Sequence, residues 1–346
     1  MTFNQLLAQV PGALLPWYQA HARDLPWRRD QDPYRVWLSE IMLQQTRVEA
    51  VKSYYARFLA TLPTIEDLAR VDDDRLLKLW EGLGYYNRAK NLKRAAGVIV
   101  SEYGGKFPET HETILALPGI GPYTAGAIAS ICFGLPYSAV DGNVLRVYAR
   151  LTATADCVDL PAVKQAVTDA LSALLPGTDP AMFNQALMEL GAMVCLPNGA
   201  PRCDVCPLAH LCRAKAAGTQ LQYPVRLPKR ARRAEEMTVF ILTTSDGALA
   251  VEKRGPEGLL GGLWALPNAP GILGETEALV LAKSWGVEPL ELTQSSRKKH
   301  IFTHIQWDMM GYYIQCRVRS SQFVWVSARE RAEAVALPTA FRQFLE

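Results

Sequence analysis

Leu117-Pro118-Gly119-Ile120-Gly121-Pro122-Tyr123-Thr124-Ala125 is too constrained for a helix interior. Its two glycines permit a close turn, and Pro122 suits the first turn of a following helix. Helical periodicity covers Glu112 to Leu117 before it and Pro122 to Phe133 after it. The stretch is either a helix–hairpin–helix or a plain αα-corner. In the first case the bare glycine backbone and the helix N-terminus would approach a sugar-phosphate strand.

Outward from this turn, the first two-thirds of the chain reads as helices with short connections. Asp32-Pro33 is a cap followed by a first-turn proline, and leads into Tyr34 to Leu43. Thr46-Arg47-Val48-Glu49 has capping-box spacing and predicts a helix through Leu59, and Thr64-Ile65-Glu66-Asp67 is a weaker version. Further helices are predicted over 74–80, 87–103, 144–151, 161–175 and 180–194. Gly218 to Ala234, with Pro224, Pro228, Arg226, Lys229, Arg230, Arg232 and Arg233, reads as an extended basic tether. Beyond it the period changes. Thr238 to Leu242 and Ala248 to Val251 flank Ser245-Asp246-Gly247 as a hairpin. Strands over 307–318 and 323–326 and a helix over 275–285 complete a smaller α+β domain.

Composition bounds the rest. The 346 residues, 49% hydrophobic and 21% charged, suit two globular domains. Up to Ala234 there are 26 basic and 21 acidic residues, and from Glu235 onward 11 and 13. That balance permits a polyanionic partner without demonstrating one. No apolar run reaches membrane-spanning length, and the start lacks the regions of a secretory signal, so an intracellular chain is expected. Seven cysteines do not suggest a disulfide framework. Cys132 reads as a small buried hydrophobe, and Cys157 and Cys316 as structural or incidental. Cys195-x7-Cys203-x2-Cys206-x5-Cys212 places four soft ligands within eighteen residues. Spacing alone leaves zinc and an iron–sulfur cluster both open, in a closed, structural site.

Two carboxylates stand out. Glu40 lies among Trp37, Leu38, Ile41, Met42 and Leu43; it is either a solvated glutamate or an acid whose pKa desolvation raises. Asp141 precedes Gly142-Asn143-Val144 at a helix start and is either a plain cap or a cap with one oxygen facing a cleft.

The hairpin string, Asp141 and the cysteine loop together resemble the endonuclease-III-like superfamily of base-excision glycosylases, and more narrowly its adenine-specific MutY-type branch. Further matching stretches are Asp24-Leu25-Pro26-Trp27-Arg28, 37–46, Trp80-Glu81-Gly82-Leu83-Gly84-Tyr85-Tyr86 and Ala139-Val140-Asp141-Gly142-Asn143. Gly261 to Pro267 resembles the opening of a Nudix-like domain, but 274–286 lacks the glutamate-rich core of active Nudix hydrolases. The resemblance implies an all-α helix-hairpin-helix glycosylase core with an iron–sulfur loop, plus a C-terminal α+β Nudix-like domain. The helical region is 1–217, with a hairpin-containing subdomain over about 28–133 and an iron–sulfur subdomain from 1–27 and 134–217. A basic linker covers 218–234 and a lesion-recognition domain 235–346.

By the same resemblance, Cys195, Cys203, Cys206 and Cys212 hold a [4Fe-4S] cluster, although the family's first cysteine loop usually has six intervening residues, not seven. Glu40 is the general acid toward adenine N7, and Asp141 stabilises the oxocarbenium-like sugar, oriented by Asn143. Tyr123 stands between acid, aspartate and base, where strand-cleaving relatives carry a lysine; a phenol cannot form a Schiff base, so a monofunctional enzyme is expected. Gln45 fills the vacated stack, Tyr85 intercalates beside the opposing base, and Gly119 and Gly121 meet the DNA backbone. Arg23, Leu25, Trp27 and Gln185 line or adjoin the adenine pocket. Phe302, Thr303 and His304 contact 8-oxoguanine, with Thr303 where serine is common. The implied partner is duplex DNA containing 8-oxoG:A or G:A, bound by a monomeric, cytoplasmic and nucleoid-associated protein.

Overall fold

Apolar spacing and end signals in the sequence become a helical body and a sheet-centred one. The computed structural model describes residues 2–228 and 231–346. Contacts divide the chain into two compact units, Met1–Arg70 with Asn91–Pro228, and Val71–Lys90 with Lys229–Glu346. The helices in chain order are α1 (Phe3–Ala8), α2 (Val10–His21), α3 (Pro33–Leu43), α4 (Val48–Thr61), α5 (Ile65–Arg70), α6 (Asp73–Leu79), α7 (Asn87–Tyr103) and α8 (His111–Leu115). They continue as α9 (Pro122–Phe133), α10 (Gly142–Thr152), α11 (Pro161–Ser172), α12 (Pro180–Met193) and α13 (Arg213–Ala216).

In the first unit, the apolar faces of α1 and α2 pack through Leu6, Leu7, Val10 and Leu14 against α10, α11 and α12. Leu208 and Leu211 join that core, so the cysteine-bearing loop is anchored by its own leucines. Helix α3 lies against α4 and α9, with Trp37 buried edge-on to Tyr34 and Phe107. Helix α2 has Pro11 at an initial helical position, and it keeps its interior Pro16 because Val10, Leu14 and Tyr18 are buried in this core.

Several ends follow the sequence signals and one does not. Asp32 caps α3 by accepting from the Tyr34 and Arg35 amides, and Thr64 and Asp67 cap each other's amides at α5. Thr46 does not cap the next helix. Its hydroxyl donates to the Gln44 carbonyl across a turn in which Gln45 has φ 61°, and α4 starts after Arg47 with no side-chain cap bond. Residues 220–227, part of the expected extended tether, lie along the first unit. Val158 donates to the Val225 carbonyl, while Asp159 accepts from the Leu227 amide and pairs with Arg226 at 2.9 Å. Lys229 and Arg230 of the same expected tether fall outside the described residues.

The second unit is built on strands β1 (Arg233–Thr244), β2 (Leu249–Lys253), β3 (Trp264–Ala265), β4 (Asn268–Pro270), β5 (Pro289–Ile301), β6 (Ile305–Cys316) and β7 (Val324–Val326), with α14 (Glu275–Ser284), α15 (Ala328–Glu333) and α16 (Thr339–Arg342). The sheet runs β3-β2-β1-β6-β5, with β4 also paired to β1 and β7 to β2. Strands β1 and β6 are parallel, and β5 and β6 form a long antiparallel hairpin. Alternation sends Val239 and Ile241 to the face packed by Phe341 and Phe344, and Phe240 and Leu242 to the face packed by Ala278 and Ala282. The expected turn at Ser245-Asp246-Gly247 is present: the Gly247 amide donates to the Thr244 carbonyl, and Gly247 adopts φ 80°. Strand β5 has no counterpart in the sequence reading. Most of its residues are exposed on both faces, so the apolar alternation that announces a strand is absent.

Candidate active site

Glu40 projects from a part of α3 that is buried nearly all round, from Tyr34 to Met42 with Arg35 excepted. Only 6% of Glu40 is exposed, which removes the solvated reading. Burial pushes its carboxyl up to about 7; the Tyr123 hydrogen bond and Arg28 oppose that rise, and the charge of Asp141 adds to it. The Tyr123 hydroxyl donates to Glu40 Oε2 at 2.5 Å and lies 3.2 Å from Met188 Sδ. Burial first, and then the charges of Glu40 and Asp141, hold that phenol well above its usual range, so it remains a donor at neutral pH. Two carboxylates and one phenol thus act on one another in a single buried region.

The hairpin delivers Tyr123 there. Gly119 adopts φ +78°, a conformation costly for residues with a Cβ, and a Cβ at that position would also lie 2.6 Å from Asn91 Cβ. Pro122 then opens α9, which places Tyr123 in its first turn. Gly121 has ordinary extended backbone and open space where a Cβ would be, so nothing within the chain requires glycine there.

Asp141 is the N-cap of α10. Its Oδ1 accepts the Val144 amide at 2.8 Å and its Oδ2 accepts Asn143 Nδ2 at 2.7 Å. The Asn143 amide has one consistent orientation, because its Oδ1 accepts from Arg146 at 2.9 Å. Arg146 in turn donates to the carbonyls of Gly191 and Cys195, both at 2.8 Å. A Cβ on Gly191 would stand 2.5 Å from Asn143 Cβ, so this glycine allows α12 to support Asn143 directly. Burial leaves the Asp141 pKa above its ordinary value, and the Val144 and Asn143 donors and Arg146 limit that rise. The asymmetry lies in the donors: the Asp141 anion is solvated by several, whereas Glu40 receives the Tyr123 hydroxyl.

Beside these groups lies an ion-pair cluster that the sequence does not announce. Glu189 of α12 is fully buried, and its Oε1 accepts Arg23 Nε at 2.7 Å while Oε2 accepts Arg28 at 2.8 Å. Burial alone would raise its carboxyl, but the hydrogen bonds from Arg23 and Arg28 outweigh it and hold the group at about 2. One turn earlier on α12, Gln185 accepts from Tyr18 at 2.8 Å, and Arg28 stacks over the Tyr18 ring. Arg23 and Gln185 therefore converge on this wall, joined by Tyr18, Arg28, Met188 and Glu189. Leu25 and Trp27, in the segment between Arg23 and Arg28, are buried, Trp27 edge-on to Tyr55. The i,i+4 spacing of Gln185 and Glu189 was the available signal, but their partners lie about 160 residues away.

Gln45 and Tyr85 are two of four non-glycine residues with positive φ among the described residues, at 61° and 48°. Such strain is costly and collects at functional positions. In the second unit, Tyr85 meets the tip of the β5–β6 hairpin: its hydroxyl is 3.0 Å from Thr303 Oγ1. The tip is closed by the Phe302 amide donating to the Ile305 carbonyl at 2.8 Å. Phe302 is pinned edge-on between His300 and Trp307, leaving Thr303 and His304 exposed.

The four cysteines near the end of the helical region influence one another. Burial first raises the thiols of Cys206 and Cys212, and charges of the other cysteines add to that rise. Arg150 donates to Cys195 Sγ at 3.3 Å, and Gln220 Nε2 lies 3.9 Å from Cys203 Sγ. Among the described residues no group of three or more His, Cys, Asp or Glu side chains has the arrangement of a metal site. The donor chemistry, four soft sulfurs with polar N–H groups directed at two of them, nevertheless fits a thiolate-held cluster. Cys132 is half-buried.

Comparison with known proteins places this geometry. Residues 38–168 match the HhH-GPD superfamily of base excision DNA repair proteins, and residues 238–346 match the NUDIX domain. An adenine DNA glycosylase of Buchnera aphidicola subsp. Acyrthosiphon pisum is 34% identical over 96% of this chain and 95% of its own. The Rattus norvegicus adenine DNA glycosylase is 34% identical over 96% of this chain and 77% of its own. The Homo sapiens enzyme is 36% identical over 87% of this chain, but the match spans only 66% of the human protein. Among solved structures, a thermostable thymine-DNA glycosylase superposes with TM-score 0.57 at 31% identity, covering 62% of this chain and 98% of that one. An endonuclease III–DNA complex, at 23% identity and TM-score 0.55 over 64% of this chain and 100% of that one, shares the helical fold. No helix among the described residues is long and apolar enough to cross a membrane. By its relatives over nearly the whole length and by its two matched domains, the chain belongs to the adenine DNA glycosylase family.

Proposed function

We propose that this chain is a monofunctional adenine DNA glycosylase that hydrolyses the N-glycosidic bond of adenine paired with 8-oxoguanine, and less readily with guanine, in duplex DNA. The observation that carries the reading is the buried Glu40–Tyr123 pair under the influence of Asp141. Departure of adenine requires a proton on the base and negative charge beside the developing oxocarbenium-like sugar. Glu40, raised to about 7, holds a proton near neutrality and yet can release it. Asp141, with its anion supported by the Val144 amide and Asn143, supplies the charge. Tyr123 orients the acid as a hydrogen-bond donor and has no amine with which to attack the sugar, so the product is an intact strand with an abasic site. Arg23 and Gln185, the former held by the buried Glu189, form a polar wall suited to the edge of an extruded adenine, with Leu25 and Trp27 adjoining.

Gln45 and the bare Gly119–Gly121 backbone serve the duplex, the first as a wedge and the second as a phosphate seat. Open space at Gly121 is consistent with close backbone approach. Cys195, Cys203, Cys206 and Cys212 would hold a [4Fe-4S] cluster, which supplies a rigid, closed clasp for this loop. The Nudix-like domain reads the base opposite adenine through Thr303, set by Tyr85, with Phe302 and His304 at the same tip. The protein works as a monomer on nucleoid DNA.

The test uses end-labelled duplexes containing 8-oxoG:A, G:A, T:G and U:G, each resolved before and after alkali. Scission at adenine only after alkali is the expected result, fastest opposite 8-oxoguanine. Scission at thymine or uracil would move the chain to the chemistry named for the thermostable thymine-DNA glycosylase, and scission without alkali would contradict monofunctionality.

Two further outcomes follow. Tyr123→Phe removes a bond that favours ionised Glu40, so the Glu40 pKa rises. The alkaline limb of the single-turnover pH profile should move to higher pH even if the maximal rate falls. Tyr85→Phe and Thr303→Ala each delete one partner of the hairpin-tip bond. Both should reduce the rate advantage of 8-oxoG:A over G:A about 10-fold in parallel single-turnover assays, with G:A cleavage little changed.

A further inference from the structure

We propose that the outer strand β5 is a phosphate-gripping edge, in which Arg297, Lys298 and Lys299 bind the backbone of the duplex addressed by the hairpin tip at Thr303. The inference rests on the reading of that tip as the part of the second unit that meets DNA.

Strand β5 is at the edge of the sheet, paired only with β6 along its length. Its sequence Ser295-Ser296-Arg297-Lys298-Lys299-His300 runs straight into the tip, and no acidic residue occurs from Thr293 to Ile305. Register with β6 sets Arg297 opposite Met310 and Lys299 opposite Asp308 on one face, and Lys298 opposite Met309 on the other. The positive charge is therefore presented on both sides of one edge. Arg297 and Lys298 are exposed and make no ion pair among the described residues, and Lys299 has only a 3.4 Å contact with half-exposed Asp308. Arg232, exposed beside the tip, donates to the Phe302 carbonyl at 3.2 Å and extends the basic rim.

A single edge lysine is enough to discourage strand-to-strand aggregation. Three consecutive cations with little compensation are more than that task needs, and residues from Glu235 onward carry more acidic than basic groups overall. From Arg297 to the strand end at Ile301, next to the tip, β5 covers roughly 13 Å at about 3.3 Å per residue. That equals about four base-pair steps, so the three consecutive cations stand within reach of phosphates on one side of the base that Thr303 addresses.

The test measures binding of a fluorescein-labelled duplex bearing 8-oxoguanine opposite a tetrahydrofuran abasic analogue, and of the matched duplex with guanine opposite the same analogue, across a KCl series. The variants are R297Q/K298Q/K299Q and a charge-matched control, K283Q/R329Q/R342Q. Each phosphate contact contributes about 0.9 to the slope of log affinity against log salt. The edge variant should lose at least one unit of slope on both duplexes and bind roughly 10-fold more weakly at the lower salt concentrations. Its thermal midpoint and its single-turnover excision rate at saturating enzyme should match those of the parent. A loss of less than one unit, or an equal loss in the control, overturns the proposal. Failure of the lesion reading shows itself separately, as parental protein that does not distinguish the 8-oxoguanine duplex from the one with guanine opposite the same analogue.

Discussion

Glu40→Gln should reduce single-turnover adenine excision by roughly 10³-fold or more while leaving duplex binding near the parental level. The substitution is nearly isosteric, and the Tyr123 hydroxyl can still donate to the amide oxygen that replaces Oε2, so the local packing is kept. What disappears is the transferable proton. An uncharged amide in this buried position also avoids the desolvation cost that raises the Glu40 pKa, so the variant should melt at or above the parental temperature. A large rate loss without a stability loss separates chemistry from folding. Excision at the parental rate would show that base departure does not depend on this proton.

Asp141→Asn should cost about 10³-fold in the same assay for a different reason. The Asn143 amide donates to Asp141 Oδ2, and its oxygen is already engaged by Arg146. An asparagine at 141 can still accept the Val144 amide through one oxygen, but it sets an NH2 group against the NH2 group of Asn143. Rotating Asn143 would then set its NH2 group against Arg146. The variant therefore loses the charge that stabilises the sugar and disturbs the residue that aims it. Circular dichroism should still report the parental helix content, since the α10 cap survives. Binding of a duplex with an intact adenine, measured alongside, should be affected far less than excision.

The legibility of this chain varied with the range of the interactions. Local signals read well: Asp32-Pro33 capped its helix, Thr64 and Asp67 formed their reciprocal pair, and the Ser245-Asp246-Gly247 turn joined β1 to β2. Thr46 failed as a cap because the adjacent Gln44–Gln45 turn claimed its hydroxyl, a competition that spacing does not reveal. Strand β5 was invisible because its residues face water on both sides and its order comes from pairing with β6. At the site, Asp141 was readable as a cap from its own neighbours. The burial of Glu40 was not readable, because it depends on α9 closing over α3 and bringing Tyr123 to it. Glu189 escaped for the same reason: a lone glutamate in α12 becomes significant only when Arg23 and Arg28 are folded against it. The pairing of Tyr85 with Thr303 joins residues 218 positions apart, where no local pattern operates.

The most direct test is the pH dependence of single-turnover adenine excision, from pH 5 to 9, for the parental protein and Glu40→Gln. The protonated acid is the active form, so the parental rate should fall as pH rises through about 7, the value to which burial lifts Glu40. The slow residual rate of the variant should lack that limb. A parental rate that stays level across the range, or a limb near neutrality that persists in the variant, would contradict proton donation by Glu40.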